Sequence, residues 1–402
     1  VVEMLRTRAV RLEDIASVNP RLSQKIDPST LVSFVGMADL SADRAVTEAA
    51  DARPYGDVAK GYTAFQDGDL LVAKITPCFE NGKIGQARLS HRLGFGSTEF
   101  HVVRPHPELA DARFLMHFLR SPRFRAEGEM RMTGSGGQRR VPVDYINQAP
   151  LHLPPLDEQR RIAAILDKAD ELLTKRRQAL AQLEVLTQSI FHSMFGDPYA
   201  SERWPDFALD DLLSAIESGQ SPVCEDRPAE ADEWGVLKLS AVTKLTFDDT
   251  QNKALTSVAP NKQHEVRQGD LLFSRKNTRA LVAAVALVGE VRPRLLLSDL
   301  IFRLCIRNHG VITPQYLHAV MAEPTKRAQI QNLAGGSSGS MPNISKAKLL
   351  TVKIPTPPIE LQQEFGRRVS AIERLKGRQR HQLAELEVLF ASLQNRSFSG
   401  EL

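Results

Sequence analysis

Between residues 162 and 194 the chain carries a seam whose positions alternate in spacings of four and three: Ile162, Leu166, Ala169, Leu173, Arg176, Leu180, Leu183, Thr187, Ile190 and Met194. This is a heptad pattern, and it predicts a long amphipathic helix with one charged break near its middle. A second seam stands 203 positions further on, at Phe365, Val369, Ile372, Lys376, Gln379, Leu383, Leu386, Phe390 and Leu393. Both seams are apolar towards their ends and polar in the centre. Pro154-Pro155 and Pro357-Pro358 stop whatever precedes each helix, and Asp157-Glu158 place negative charge in the first turn of the first. Gly196-Asp197-Pro198 ends that helix, and Lys376-Gly377 weakens the second, since glycine inside a helix costs about 1 kcal/mol.

Elsewhere the apolar runs are short. Leu31–Val35, Leu70–Ile75 and Phe100–Val103 are rich in β-branched and aromatic residues and predict strands. Ala112–Leu119 and Pro314–Ala322 predict short helices. Glu80-Asn81-Gly82-Lys83 holds the Asn-Gly pair favoured in a tight hairpin. Leu93-Gly94-Phe95-Gly96 lacks the full GxGxxG spacing and a following acidic residue, and reads as a plain loop.

The two seams belong to a larger duplication. LAQLEVL at Leu180–Leu186 returns as LAELEVL at Leu383–Leu389, and Pro154–Gln159 falls on Pro357–Gln362 at the same offset. Thr133–Gly137 falls on Gly336–Ser340, and the turn Asp67-Gly68-Asp69 before Leu70-Leu71 matches Gln268-Gly269-Asp270 before Leu271-Leu272. Two copies at half the chain length mean two large modules, not a solenoid. A helix with a narrow apolar stripe must bury it, and the natural partner is its own repeat in antiparallel packing. That arrangement would set the modules at opposite ends of a rod of roughly 55 Å, at about 1.5 Å per residue. The expected fold class is α+β: two strand-rich mixed modules separated by two long antiparallel coiled-coil helices, related by a pseudo-twofold internal repeat. Expected boundaries are 1–153 and 198–356 for the modules, with the helices at 154–197 and 357–402.

Composition adds limits. The 402 residues are 42% hydrophobic and 25% charged with net charge +4, an ordinary globular balance that permits nucleic acid without requiring it. Cys78, Cys224 and Cys305 are far apart and form no CxxC pair, so buried reduced thiols are expected. No stretch has signal-peptide form, and the apolar run Ala280–Val288 is too short to span a bilayer. A soluble, cytoplasmic protein with no membrane partner is expected.

Catalytic constellations do not emerge. There is no GxxxxGK[ST] loop, and Leu153–Leu156 and Thr356–Ile359 lack the polar first residue and the aromatic of an exocyclic-amine methyltransferase tetrapeptide. His101 and His106 are expected at the surface, and Asp206, Asp210, Asp211 and Glu217 suit a helix start better than a nuclease centre. The expectation is a chain with no catalytic residues and no metal site of its own.

Recognition chemistry is present instead. Residues 120–140 hold six arginines against two glutamates, and the matching 321–348 segment holds Lys326, Arg327, Lys346 and Lys348 against Glu323. Glycine and serine let backbone N–H groups approach phosphates while flanking cations neutralise them. Arg123, Arg125, Gln138, Arg139 and Arg140 in the first copy, and Ser340, Asn343 and Lys346 in the second, are candidate DNA contacts; arginine suits guanine and glutamine suits adenine in the major groove. A further set follows the strands: Lys74 and Lys83 in the first module, and Arg275, Lys276, Asn277 and Arg279 in the second. The same frame with different residues would read two different targets. The candidate helix–helix packing residues are Ile162, Leu166, Leu173, Leu180, Leu183, Ile190, Phe365, Val369, Ile372, Leu383, Leu386 and Phe390.

With these parts in order, the chain resembles the specificity subunits of type I restriction–modification systems. The resemblance is carried by LPPLDEQRRIAAILDKAD at Leu153–Asp170, LEVLTQSIFHSMFGD at Leu183–Asp197, GSMPNISKAKLL at Gly339–Leu350 and IPTPPIELQQEF at Ile354–Phe365, and it covers essentially the whole chain. It implies two target-recognition domains, each reading one half of a bipartite double-stranded DNA site, with the helices as spacer. It implies two modification subunits that carry S-adenosylmethionine, and restriction–translocase subunits that use ATP and magnesium. The specificity chain itself would bind no cofactor. A coiled-coil scaffold that does not touch DNA, and a self-contained methyltransferase or nuclease with degenerate motifs, are the alternatives.

Overall fold

The computed structural model describes residues 8–22, 25–49, 51–135, 137–196, 203–256, 258–335 and 341–399. They gather into two units: the described residues up to Leu180 join those from Arg378 onward, and Ala181–Gly377 form the other.

In the first unit a five-stranded sheet runs in the order Ala16–Val18, Phe100–Pro105, Leu70–Ala73, Ile84–Arg88, Val46–Glu48. Leu70–Ala73 is central and buried at every position, which is why it reads as an unbroken apolar run. A four-stranded sheet follows the order Asp51–Pro54, Leu31–Val35, Leu93–Gly96, Thr63–Gln66, and Arg8–Arg11 pairs with Pro150–Leu153. The second unit repeats this plan with fewer strands. Leu213–Ser218, Ile301–Ile306, Leu271–Ser274 and Val285–Leu287 form one sheet. In another, Gly235–Leu237 is antiparallel to Asn252–Ala254 and parallel to Leu295–Leu296, as Leu31–Val35 is to its two neighbours. Asp206–Ala208 pairs with Lys353–Pro355. The two matched turns have glycines at positive φ, Gly68 at +85° and Gly269 at +91°. Each following aspartate is held by an arginine of the adjacent strand, Arg104 at 2.6 Å from Asp69 and Arg303 at 3.0 Å from Asp270.

Short helices at Ala112–Arg120 and Pro314–Ala322 start on Asp111 and Thr313, whose side chains accept the orphan N–H groups of the first turn. The long helices span Leu156–Phe195 and Ile359–Ser399, the second continuous through Gly377. In the first unit they pair antiparallel. Arg176 donates to Gln379 at 2.5 Å, its own counterpart 203 positions on, and Arg177 reaches Glu387 at 2.8 Å. Ile162, Leu166 and Leu173 are buried there, while Leu180, Leu383, Leu386 and Phe390 are half-buried. Phe398 packs edge-on against Phe114 at 5.3 Å. In the second unit Phe365 and Ile372 are buried, and Leu183, Ile190 and Val369 are half-buried. Phe195 meets Tyr316 at 4.9 Å, the repeat counterpart of the Phe398–Phe114 pair.

Several expectations need correction. Leu93–Gly96 is not a plain loop: it is a buried strand between Leu31–Val35 and Thr63–Gln66. A Cβ at Gly94 would strike the Phe65 ring, and one at Gly96 the Val35 carbonyl, so the glycines serve close packing. His101 is not a surface histidine; it is 5% exposed, with Nε2 donating to Val141 O at 2.9 Å and Nδ1 accepting from Asn19 at 3.1 Å. The Asn81-Gly82 pair does not make a tight hairpin but ends the longer connection between Leu70–Ala73 and Ile84–Arg88. The three cysteines are free and half-buried, not buried. Among the described residues no helix is long and apolar enough to cross a membrane.

Candidate nucleic-acid interface

In each unit the Gly/Ser loop is closed at its neck by backbone hydrogen bonds. Thr133 and Arg140 exchange N–H to O bonds of 3.0 and 2.8 Å, and Gly335 and Asn343 do the same at 3.0 and 2.9 Å. The neck then docks on the segment leaving the central strand. Val141 N donates to Lys74 O and Thr76 N to Arg139 O, both at 2.9 Å. The second unit answers with Ile344 N to Arg275 O at 2.8 Å and Asn277 N to Pro342 O at 3.3 Å. Backbone geometry thus makes Lys74 the counterpart of Arg275, and Arg140 the counterpart of Asn343. Gly134 and Gly137 take φ of +129° and +77°, open to glycine without strain. Gly136 and residues 336–340, including Ser340, lie outside the described residues.

On this shared frame the side chains diverge. In the first unit Arg140 grips the Glu99 carboxylate through Nε at 2.9 Å and Nη2 at 2.8 Å. That hydrogen bonding holds Glu99 below the usual carboxylate range. Arg139 lies 3.7 Å from Glu80 and 3.9 Å from Glu129. Arg125 donates to Glu80 O at 2.9 Å, and burial pushes its guanidinium below the ordinary value. Lys83 donates to Met37 O at 3.0 Å and Arg123 pairs with Glu127 at 3.0 Å. Gln138 is exposed. Lys74 is half-buried; its charge acts on Glu99 at a distance, but among the described residues no hydrogen bond or close ion pair holds its ammonium.

In the second unit Arg275 donates to Asn343 Oδ1 at 3.1 Å and lies over the Phe302 ring, 5.0 Å from its centroid, with Lys346 at 5.6 Å from the same ring. Lys276 bridges to Asn343 through the backbone. Asn277 is buried and accepts from Thr278 N at 2.8 Å, while Arg279 contacts Asn332 at 3.4 Å. Lys74, Arg139 and Arg140 are therefore together at one neck, and Arg275, Lys276, Asn277, Asn343 and Lys346 at the other. Lys83, Arg123, Arg125 and Arg279 hold internal partners further out.

Two residues important to this geometry were legible only as parts of motifs. Gln159 accepts from Asp111 N at 2.8 Å and donates to Leu109 O and Pro154 O at 3.0 and 2.9 Å. Gln362 makes the same set, from Thr313 N at 2.9 Å and to Val311 O and Pro357 O at 3.0 and 2.8 Å. Each glutamine, buried to 1% and 0% exposure, ties a long helix to the short helix of its module. The signal was the polar residue fixed at one distance after each Pro-Pro. Glu99 and Asn19 carried no such signal. Among the described residues no cluster of three His, Cys, Asp or Glu side chains could hold a metal ion.

The fold is that of a duplicated recognition protein, with paired loop necks of one geometry and different side chains. Comparison with known proteins makes this specific. The family model described as "Type I restriction modification DNA specificity domain" matches residues 9–185. The EcoEI specificity subunit of Escherichia coli is 27% identical, with 90% of this chain and 76% of that protein covered. The EcoAI specificity subunit of Escherichia coli is 30% identical over 65% of this chain and 45% of its own length. The S subunit of a type I restriction–modification system from M. genitalium superposes with a TM-score of 0.59 at 13% identity, covering 99% of this chain and 97% of that one. A chain from a type I system described for its complex assembly and conformational transition gives 0.56 at 22% identity, covering 98% of each. Residues 9–185 therefore carry a type I restriction–modification DNA specificity domain, and over most of its length the chain is similar to specificity subunits, which are non-catalytic recognition subunits.

Proposed function

We propose that each unit reads one half of a bipartite double-stranded DNA site and that the two long helices fix the number of unread base pairs between the halves. The reading domains in this proposal are 1–153 and 198–356, with spacer helices at 154–197 and 357–402. The observation that carries it is the repeated neck: four backbone hydrogen bonds recur in the two units while the side chains on them differ. A fixed frame with variable residues is what two different half-site sequences require. Lys74, Gln138 and Arg139 in the first unit, and Arg275, Lys276 and Lys346 in the second, are the contacts nearest these necks, with Arg140 and Asn343 positioning them.

The helices also offer a surface for partners. Val185 and Val388, 203 positions apart, are 62% and 72% exposed, and Leu186 and Leu389 beside them are 43% and 54% exposed. Recurrence of the same exposed apolar pair in both helices suits a docking surface used twice, and two equivalent sites fit two modification subunits. In this reading those subunits carry S-adenosylmethionine, restriction–translocase subunits bring ATP and magnesium, and the complex works in the cytoplasm. The test is the base-modification map of the host genome with and without the gene. Loss of a single bipartite methyladenine motif on deletion is expected; a map that does not change refutes the proposal.

A further inference from the structure

Lys74 does not stand alone. It lines a cleft of about 480 Å³ in the first unit, together with Asn19, Arg21, Thr63, Thr98 and Phe100. Asn19 is fixed there by the rest of the fold. It sits at φ +51°, its Oδ1 accepts Val102 N at 2.9 Å, and its Nδ2 points to His101. Phe100, 2% exposed, supplies an apolar wall. The groups left over are all donors or hydroxyls: the Lys74 ammonium, the Arg21 guanidinium and the Thr63 and Thr98 hydroxyls, none with a hydrogen-bond partner among the described residues.

The repeat sharpens what this means. Lys74 N donates to Glu99 O at 2.9 Å, and Arg275 N donates to Leu300 O at 3.1 Å, so the two backbones coincide around this point. The counterpart of Thr98 is Asp299, 201 positions on, whose carboxylate accepts from the Ser221 hydroxyl. Arg275 is tied to Asn343. At one and the same place the first unit keeps unpaired donors, and the second presents a carboxylate and an arginine with an internal partner. A position that changes hydrogen-bonding sign on an unchanged backbone is a position that selects. In the major groove a guanine presents two acceptors, O6 and N7, which complement this set of donors.

We infer that this cleft takes the major-groove edge of a guanine in the first half-site, with Lys74 and Arg21 as specificity-determining residues donating to O6 and N7. The inference rests on the DNA-reading proposal above. It is tested with the full chain copurified with its modification partners, by measuring binding to the mapped target and to every single-base variant of its first half-site. The wild-type complex should discriminate at one G·C pair by roughly 5- to 150-fold. Lys74→Gln and Arg21→Gln should each erase most of that preference while discrimination elsewhere persists in both half-sites. A uniform loss at all positions with a shallower salt slope would mean phosphate contacts and overturn the inference, as would an unaltered preference. If Lys74→Gln abolishes binding altogether, Lys74→Arg decides: restored binding with the guanine preference supports the cleft, and failure to restore it rejects it. A wild-type complex with no bipartite selectivity sinks the broader proposal instead.

Discussion

The glutamine that follows each Pro-Pro by four residues offers a sharp quantitative test. Gln362→Met keeps side-chain volume but removes the acceptor of Thr313 N and the donor to Val311 O and Pro357 O. Gln362 is fully buried, so water cannot replace those partners. Each net hydrogen bond is worth about 1 kcal/mol, and each stranded buried group costs more. The expected destabilisation is about 3–5 kcal/mol, or roughly 6–20 °C in melting temperature for a unit of this size. Gln159→Met should cost a similar amount in the first unit, since its three bonds match within about 0.2 Å. Hydrogen exchange followed by mass spectrometry locates the damage. Gln159→Met should raise exchange in Ala112–Arg120 and leave Pro314–Ala322 protected, and Gln362→Met should do the reverse. A loss below about 1 kcal/mol for both variants, or equal loosening of both helices from either, would refute the idea that each glutamine pins its own module.

Other expectations follow from the same geometry. Inserting one heptad into each long helix should lengthen the unread spacer and leave both half-site sequences intact in a methylation map; altered half-sites with the old spacing would end the ruler model. Arg139→Ala should lower DNA affinity and reduce the salt slope by about 0.9, the value of one phosphate contact, whereas Arg140→Ala should also release Glu99 and loosen the neck. Stability should fall on acidification. Burial depresses His101 and His117, although Asp167 pulls His117 the other way, so both are neutral in the fold and bind protons more readily when unfolded. The loss therefore begins as pH drops through the unfolded histidine value, about 6.5, and continues towards the lowered folded values; a melting temperature flat between pH 7 and 5 would contradict it.

The long helices were the most legible elements, because a seam of four-three spacings over thirty residues has few alternative explanations. Their antiparallel pairing was legible too, since a narrow stripe that returns once in the sequence has an obvious partner, and Arg176 does meet Gln379. The strands were legible only where both faces are buried, as at Leu70–Ala73, or strongly apolar, as at Leu31–Val35. Leu93–Gly96 was misread because glycine normally opposes a strand; only the nearness of Phe65 and Val35, distant in sequence, makes glycine the residue that fits. His101 failed for a related reason. Spacing describes a histidine's sequence neighbours, while its burial depends on Asn19 and Val141, which the fold brings from 82 and 40 positions away.

The basic residues show the deeper reason why sites are harder to read than folds. Charge counts placed a surplus of cations in residues 120–140, but a count cannot tell a cation with an internal partner from one without. Arg140 is committed to Glu99, Arg125 to Glu80 and Lys83 to Met37, whereas Lys74 has no such commitment. The internal repeat supplies the missing discriminator. Where two copies keep one backbone bonding scheme, residues that serve the frame tend to match in role: Gln159 with Gln362, Phe398–Phe114 with Phe195–Tyr316, and Asp69 with Asp270. Residues that serve a ligand are free to differ, and in the proposed reading Lys74 and Arg275, and Thr98 and Asp299, are such positions. Duplication separates frame from reader within one sequence, and exchanging a reader position between copies is the perturbation that tests the separation. Thr98→Asp should move base preference in the first half-site and leave the unfolding free energy of the unit within about 0.5 kcal/mol of wild type, as for an exposed surface substitution. A large stability loss without any shift in preference would assign Thr98 to the frame.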